Sequence, residues 1–316
     1  MASYRILISD GLAEEGLALL WKSGEVTVNP KITAEELLTA LPLYHALIVR
    51  SRTKVNAQVV AAGTRLKVIG RAGVGVDNID VAAAIAQGIT VVNSPLAATV
   101  AVAELTIGLM MALAREIPRA DAAMKKGEWL KSGLAGTELN GKTLGLVAVG
   151  RIGAAVAARA VVLGMKVAAY DPYLSDDDIR TRRAEPVTLD ALLASADFIS
   201  IHSPLTPETK GMIDADAFAR MKNGVRIVCT ARGGVIDETA LLAALESGKV
   251  AGAGLDVFAT EPPGPTPLVV HPKVICTPHV GAQTHEAQLR AAVDIAEEVL
   301  AALEGRPLRW QVASTS

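Results

Sequence analysis

The sequence predicts an α/β protein with two doubly wound, parallel-sheet domains. Three observations predict it. Short apolar runs alternate with helical patterns over most of the 316 residues, the mark of parallel sheets covered by helices on both faces. The chain is 51% hydrophobic and 20% charged, too apolar to be disordered, and its length suits about two domains. The alternation is broken by two long helical patterns, near residues 100 and 285, which read as the joints between the domains.

In the first domain, residues 6–9 read as a strand, Asp10 and Gly11 as a turn and 12–21 as a helix. Residues 25–28 are strand-like, and Thr33 with Glu36 has the spacing of a capping box that opens a short helix. Strands follow at 46–49, 67–69 and 90–92, with helices at 56–62 and 80–86; Gly88 suits a helix C-terminus. Residues 98–117 form a long helical pattern that Pro118 should end, with 119–126 as its continuation. After a turn at Asn140 and Gly141, strands are expected at 144–149, 166–170, 198–201, 225–229, 254–257 and 274–277. Helices are expected at 151–163 and 238–246, the latter closed by Gly248, and finally at 284–304. The predicted domains are 1–97 with 285–316, and 98–284.

Composition excludes several function classes. The 31 Lys and Arg against 33 Asp and Glu leave a net charge of −2, without the basic excess of a duplex-binding protein. Aromatics, at 3%, are too few for single-strand stacking platforms. The most apolar stretch, 105–114, is shorter than the ~20 residues of a membrane span. The first residues run into the strand-like 4–9 with no leader pattern. Cys229 and Cys276 are too few for a disulfide framework or a four-ligand zinc site, so both read as buried thiols of a reducing cytoplasm, and no metal is expected.

The most informative local motif is 148–153. It has the dinucleotide fingerprint with Ala148 at the first glycine position, and it follows a strand and opens a helix. Gly150 should let the backbone approach a pyrophosphate, Gly153 should let helix and strand pack closely, and Arg151 and Ile152 lie in the same turn. The helix N-terminus favours the phosphates. Asp171, 21 residues beyond Gly150, ends the next strand. A carboxylate there accepts from ribose hydroxyls and repels a 2′-phosphate, so NAD is the expected cofactor.

Segments 71–80, 103–106, 136–143, 202–206, 231–234, 254–258 with Glu261 and Pro262, and 277–281 occur in one order over nearly the whole chain. Together they resemble the D-isomer-specific 2-hydroxyacid dehydrogenases. The resemblance implies a Rossmann NAD-binding domain inserted in a flavodoxin-like substrate domain. It places the catalytic trio on Arg232, Glu261 and His279. Arg232 is implied to bind the substrate carboxylate and polarise the C2 oxygen. His279 is implied to take the hydroxyl proton as hydride leaves C2, with Glu261 orienting its ring. Ser203, Thr230, Ala231, Asp256, Gly281 and Ala282 are implied to line the cofactor. His202 reads as a decoy, because the family's proton carrier lies elsewhere, and His45, His271 and His285 have no constellation around them.

Within the family the likeness is greatest to the phosphoglycerate dehydrogenases. That implies NAD-dependent conversion of 3-phosphoglycerate to 3-phosphohydroxypyruvate, a step of serine biosynthesis, in a cytoplasmic homodimer. Arg50, Ser51 and Arg71 match anion-binding positions, Arg52 adds a charge, and the amides around Gly73, Val74 and Gly75 should meet the carboxylate. Val74, Leu96 and Ala98 stand where relatives often carry polar side chains, which keeps open a glyoxylate or hydroxypyruvate reductase. A non-catalytic NAD-sensing interaction protein is the distant alternative. The chain ends 37 residues after His279, so no serine feedback is expected. Leu105, Leu109, Met110 and Leu113 give one broad apolar helix face, read as a dimer surface of the cofactor domain.

Overall fold

The computed structural model describes residues 4–313; the tripeptide before them, used above to read the absence of a leader, and the last three residues of the predicted 285–316 segment lie outside. The chain runs β1 (Tyr4–Ile8), α1 (Glu14–Trp21), β2 (Gly24–Val28), α2 (Ala34–Ala40), β3 (Ala46–Val49), α3 (Ala57–Ala62), β4 (Val68–Arg71), α4 (Val81–Ala86) and β5 (Thr90–Asn93). It continues as α5 (Thr99–Arg115), α6 (Ile117–Lys125), β6 (Thr143–Val147), α7 (Arg151–Val162), β7 (Lys166–Tyr170), α8 (Asp176–Thr181), β8 (Glu185–Pro186), α9 (Leu189–Ser195) and β9 (Phe198–Ile201). Then come α10 (Ala215–Arg220), β10 (Val225–Cys229), α11 (Glu238–Glu246), β11 (Val250–Leu255), β12 (Val274–Cys276) and α12 (His285–Glu304). Two compact units result, one made of the residues up to Ala98 and those from Ala282, the other of Thr99–Gly281.

In the first unit five parallel strands lie in the order β2-β1-β3-β4-β5, the flavodoxin-like doubly wound arrangement. The pleat divides its core. Leu7, Leu47, Val49, Ile69 and Val91 pack to one face, while Ile6, Ile8, Ala46, Ile48, Val68 and Val92 pack to the other with Ile295, Ala296 and Val299 of α12. The Thr33–Glu36 capping box is present in both directions, at 3.2 and 2.9 Å.

The second unit has seven parallel strands in the order β12-β11-β10-β9-β6-β7-β8, a Rossmann sheet that reverses direction between β6 and β9. Leu144, Leu146, Phe198 and Val228 pack to one face; Val147, Ile199, Ile201 and Ile227 pack to the other.

Three expectations are corrected here. Pro118 does not end the long helix. The break is at Glu116, which takes a left-handed φ of 51°, and Pro118 lies in the first turn of α6, where its missing N–H costs no hydrogen bond. The apolar face of α5 is not left over for another subunit: Leu109, Met110 and Leu113 are buried inside their own unit, with Leu105 packed against the same cluster. Cys276 is half-buried rather than buried, and both thiols are free.

Candidate active site

The carboxyl ends of β6 and β9 flank the reversal of the second sheet, where an open α/β sheet offers a binding crevice. At the end of β6, Ala148 holds a left-handed φ of 68°, a conformation that favours glycine. A Cβ on Gly153 would come 2.6 Å from the Ala148 carbonyl oxygen, so the close packing expected there is real. A Cβ on Gly150 would meet nothing within 4 Å, so the backbone is open on that side. Gly150 caps α7, Arg151 is exposed and Ile152 is half-buried. Asp171 accepts the N–H of Val149 (3.0 Å) on one oxygen and that of Tyr173 (3.1 Å) on the other, leaving one lone pair on each for a further donor. Arg182, just after α8, donates to the carbonyl of Val149 at 2.8 Å and braces the same turn.

Ser203 follows β9 and is 5% exposed, yet its hydroxyl has no hydrogen-bond partner within the protein. An orphaned buried hydroxyl, an open glycine backbone and a carboxylate at the next strand end together fit a dinucleotide. His202 is held differently from a proton carrier. Its Nε2 lies 2.9 Å from the Ser200 hydroxyl, and burial pushes its pKa down to about 4, so the ring is neutral.

The expected trio comes from three loops of this unit. His279 Nδ1–H donates to Glu261 Oε2 at 2.7 Å, which leaves Nε2 as the basic nitrogen. His279 takes a left-handed φ of 52° and its N–H reaches the Thr277 carbonyl at 3.0 Å. The other oxygen of Glu261 accepts the Phe258 N–H at 3.1 Å. Arg232 is half-buried, with Nη1 donating to the Ala231 carbonyl at 2.7 Å. The next residue, Gly233, touches the Glu261 loop backbone to backbone, because a Cβ there would fall 1.8 Å from the Phe258 carbonyl oxygen.

Asp256, 1% exposed at the end of β11, organises the histidine loop. It accepts from the Thr277 hydroxyl (2.5 Å) and from the N–H groups of Val280 (2.8 Å) and Gly281 (2.8 Å). These bonds make it an anchor of the loop that presents His279. Thr230 is buried, its hydroxyl 2.9 Å from that of Thr106 on α5. Gly281 is buried; Ala282 is exposed and begins the other unit's second segment.

In the first unit, Arg50 and Arg71 stand at the carboxyl ends of neighbouring β3 and β4, paired through Val49 and Arg71. The Arg71 guanidinium lies over the Gly73 backbone, where a Cβ would come 1.6 Å from Nη1. The Val74 carbonyl accepts from the Asn93 side chain at 2.6 Å, and Gly73 accepts the Ser94 N–H at 3.0 Å, so the 73–75 turn is fixed to the end of β5. Gly75 is half-buried and Ser51 is exposed. Arg52 is used otherwise: it pairs with Asp10 at 3.0 Å and donates to the Ile32 carbonyl and to that of Ser9.

Residues 107–281 match the family model for the NAD-binding domain of D-isomer-specific 2-hydroxyacid dehydrogenases, more than half of the chain. The chain belongs to the D-isomer-specific 2-hydroxyacid dehydrogenase family. A D-3-phosphoglycerate dehydrogenase of Synechocystis is 47% identical over 308 residues, covering 98% of this chain but 56% of that protein. The chain thus spans little more than half the length of the curated relatives it matches. Among solved structures, a Thermus thermophilus protein superposes with a TM-score of 0.91 at 36% identity, covering 98% of this chain and all of that one. A glyoxylate reductase of Paecilomyes thermophila gives 0.91 at 32% identity with both chains fully covered. The family domain is an NAD-binding one, in accord with the cradle described above.

Several site-forming residues carried no sequence signal. Asp10, read only as part of a turn, accepts the N–H groups of Arg50 (2.7 Å) and Thr53 (3.1 Å) and the Thr53 hydroxyl (2.5 Å). Asn78 donates to the carbonyls of Arg50 and Thr53, and Glu238 accepts the Ala259 N–H at 2.6 Å. Apart from Thr53 and Arg52, which meet Asp10 through side chains, their partners are backbone groups, which leave no pattern in sequence. For Asp10 the sole pointer was a carboxylate at the end of β1, beside the switch between β1 and β3.

Proposed function

We propose that the chain is an NAD-dependent dehydrogenase that oxidises 3-phosphoglycerate at C2 to 3-phosphohydroxypyruvate. The observation that carries the reading is the 2.7 Å His279–Glu261 pair, with the Glu261 loop packed against the loop of Arg232. The substrate is taken from the names of relatives at 46–49% identity. In this reading 98–284 is the cofactor domain, and 1–97 with 285–316 is the substrate domain.

NAD would supply the hydride acceptor for C2. The glycine turn and Arg151 would hold its pyrophosphate, Asp171 its adenosine ribose, and Ser203, Thr230, Ala231, Gly281 and Ala282 would line the remainder. Arg232 pairs with the substrate carboxylate and polarises the C2 oxygen. His279 Nε2 takes the hydroxyl proton, and Glu261 keeps Nδ1 protonated and stabilises the cation that forms. Arg50 and Arg71 offer charge to the phosphate, and the amides of the 73–75 turn offer donors to the carboxylate.

A second reading, reduction of glyoxylate or hydroxypyruvate, is favoured by apolar Val74, Leu96 and Ala98 and by the likeness to a glyoxylate reductase. NADH absorbance at 340 nm with 3-phosphoglycerate, glyoxylate and hydroxypyruvate decides between them. A higher kcat/KM for 3-phosphoglycerate supports the first reading, and turnover of only the short keto acids overturns it. Tight NAD binding without turnover of any acid overturns both and leaves an NAD-sensing protein.

A cytoplasmic homodimer is part of the proposal. Exposed Ile117, Met124 and Trp129 of the cofactor unit, 52%, 55% and 77% accessible, support self-association. Two free thiols suit a reducing compartment, and no helix among the described residues is long and apolar enough to cross a membrane. Sedimentation at micromolar concentration checks the dimer; a clean monomer refutes it.

A further inference from the structure

We infer that Glu238 is a positioning residue for Glu261, and through it for His279; the inference rests on the catalytic reading above. Glu238 opens α11, directly after the segment that carries Arg232, and Asp237 caps the same helix through the N–H groups of Thr239 and Ala240. The cap fixes the first turn of α11, and so fixes the direction in which the Glu238 side chain leaves it. Its Oε1 accepts the N–H of Ala259 at 2.6 Å. One residue earlier, the Phe258 N–H is held by Glu261 Oε1 at 3.1 Å, and Glu261 Oε2 takes the His279 Nδ1–H at 2.7 Å.

These bonds form one chain: helix α11, Glu238, the 258–259 backbone, Glu261, His279. The 258–261 loop also meets the Arg232 loop at the Gly233 backbone and through Val257 and Phe258, which are buried in one apolar cluster with Val235 and Ile236. Those contacts are not directional. The Glu238 bond is charge-assisted and directional, so it opposes separation. It braces the two ends of the trio against each other.

The test compares Glu238→Ala and Glu238→Gln with the wild type, alone and combined with Glu261→Gln. Loss of one charge-assisted bond predicts about a tenfold fall in kcat for Glu238→Ala, with KM for NAD unchanged. Glu238→Gln keeps an acceptor oxygen and restores most of kcat. On the Glu261→Gln background the effect of Glu238→Ala disappears, because its route to His279 is already cut. Wild-type kcat in Glu238→Ala overturns the inference. So does a Gln variant as poor as Ala, or an undiminished loss on the Glu261→Gln background, which marks a merely structural role. His279→Gln, run alongside, separates the two levels. Full turnover in that variant overturns the catalytic reading itself, whereas an inactive His279→Gln beside an unaffected Glu238→Ala overturns the brace alone.

Discussion

Adding one methyl group at Gly233 tests how closely the trio depends on the approach of its loops. The Cβ of Gly233→Ala would lie 1.8 Å from the Phe258 carbonyl oxygen, 2.0 Å from its carbon and 2.6 Å from the Ala259 nitrogen. All three are backbone atoms, so no side chain can swing away. Reaching 3.0 Å, below which Cβ contacts are essentially not found, requires the loops to separate by about 1.2 Å. The bonds of Ala259 to Glu238 and of Phe258 to Glu261, now 2.6 and 3.1 Å, do not both survive that movement. A misplacement of about 1 Å at a reacting group costs on the order of 10²-fold, so kcat/KM should fall about a hundredfold, or about 2.7 kcal/mol of transition-state stabilisation. Overpacking adds a stability loss of about 1–3 kcal/mol. NAD affinity should fall far less than kcat/KM, because the Ala148–Gly153 turn and Asp171 are on other strands of the sheet and only Thr230 and Ala231 adjoin the shifted loop. Steady-state NADH absorbance gives the first quantity, urea denaturation the second and calorimetric NAD titration the third. Wild-type kcat/KM in a folded Gly233→Ala would refute the claim that the two loops need this contact.

The remaining predictions concern stability and reactivity. Ala148→Gly relieves a left-handed φ of 68°, worth about 1–2 kcal/mol, against about 0.4–1 kcal/mol of added freedom in the unfolded chain. A higher urea midpoint is expected, and a lower one contradicts the strain. His202, with a pKa lowered from 6.5 to about 4, leaves the folded state with fewer protons than the unfolded state between those values. Its contribution to stability therefore falls as pH drops from about 6.5 towards 4. The full shift corresponds to about 3 kcal/mol and, since the residue is half-buried, about 2 kcal/mol is the expected size. The difference between wild type and His202→Gln in denaturation midpoint across that range measures it; parallel pH curves would contradict it. Burial pushes the Cys229 thiol up to about 11, so it should resist iodoacetamide at pH 8 until the protein is unfolded. Rapid native labelling of Cys229, located by peptide mass, would contradict this.

Much of the layout was legible because buried parallel strands are short and apolar. The ranges 46–49, 166–170, 198–201 and 225–229 coincide with β3, β7, β9 and β10. The strand expected at 254–257 starts four residues earlier and ends two residues sooner. It begins at Val250, and its first half holds Gly252, with Gly254 following. Glycine has low strand propensity, and these two are there for packing: a Cβ on either would come 3.1 Å from Leu113 or Leu109 of α5. The same contacts explain why the apolar face of α5 was misread as surplus. Leu109 and Leu113 fill the space that the glycines leave, and glycines carry no hydrophobic signal by which to infer a buried partner. The break between α5 and α6 was displaced for a related reason. Pro118 is the visible helix breaker, but the residue that turns the chain is Glu116, whose carboxylate holds Arg119 at 2.6 Å.

The candidate site divides along the same physical line. Arg232, Glu261 and His279 lie in distinctive local segments because their chemistry demands particular side chains. The groups that hold them in place are bound by backbone atoms. Asp256 was identifiable as a site residue, but its three bonds to the 277–281 loop were not, since two of the three donors are amides. Glu238 reads in sequence as one more acidic residue in the first turn of a helix, a place where the helix dipole alone accounts for it. Asp10 and Arg52 make the contrast sharpest. Sequence offered Arg52 as a third cation for a doubly charged substrate, whereas folding commits it to Asp10 and two carbonyls of its own unit. A substrate anion could recruit Arg52 only by stripping a nearly buried carboxylate of its ion pair. Arg50 bears no such cost from Asp10, which takes Arg50 through its backbone N–H and leaves that guanidinium uncommitted to it. Charge-neutral substitution of Arg52 should therefore disturb folding before affinity.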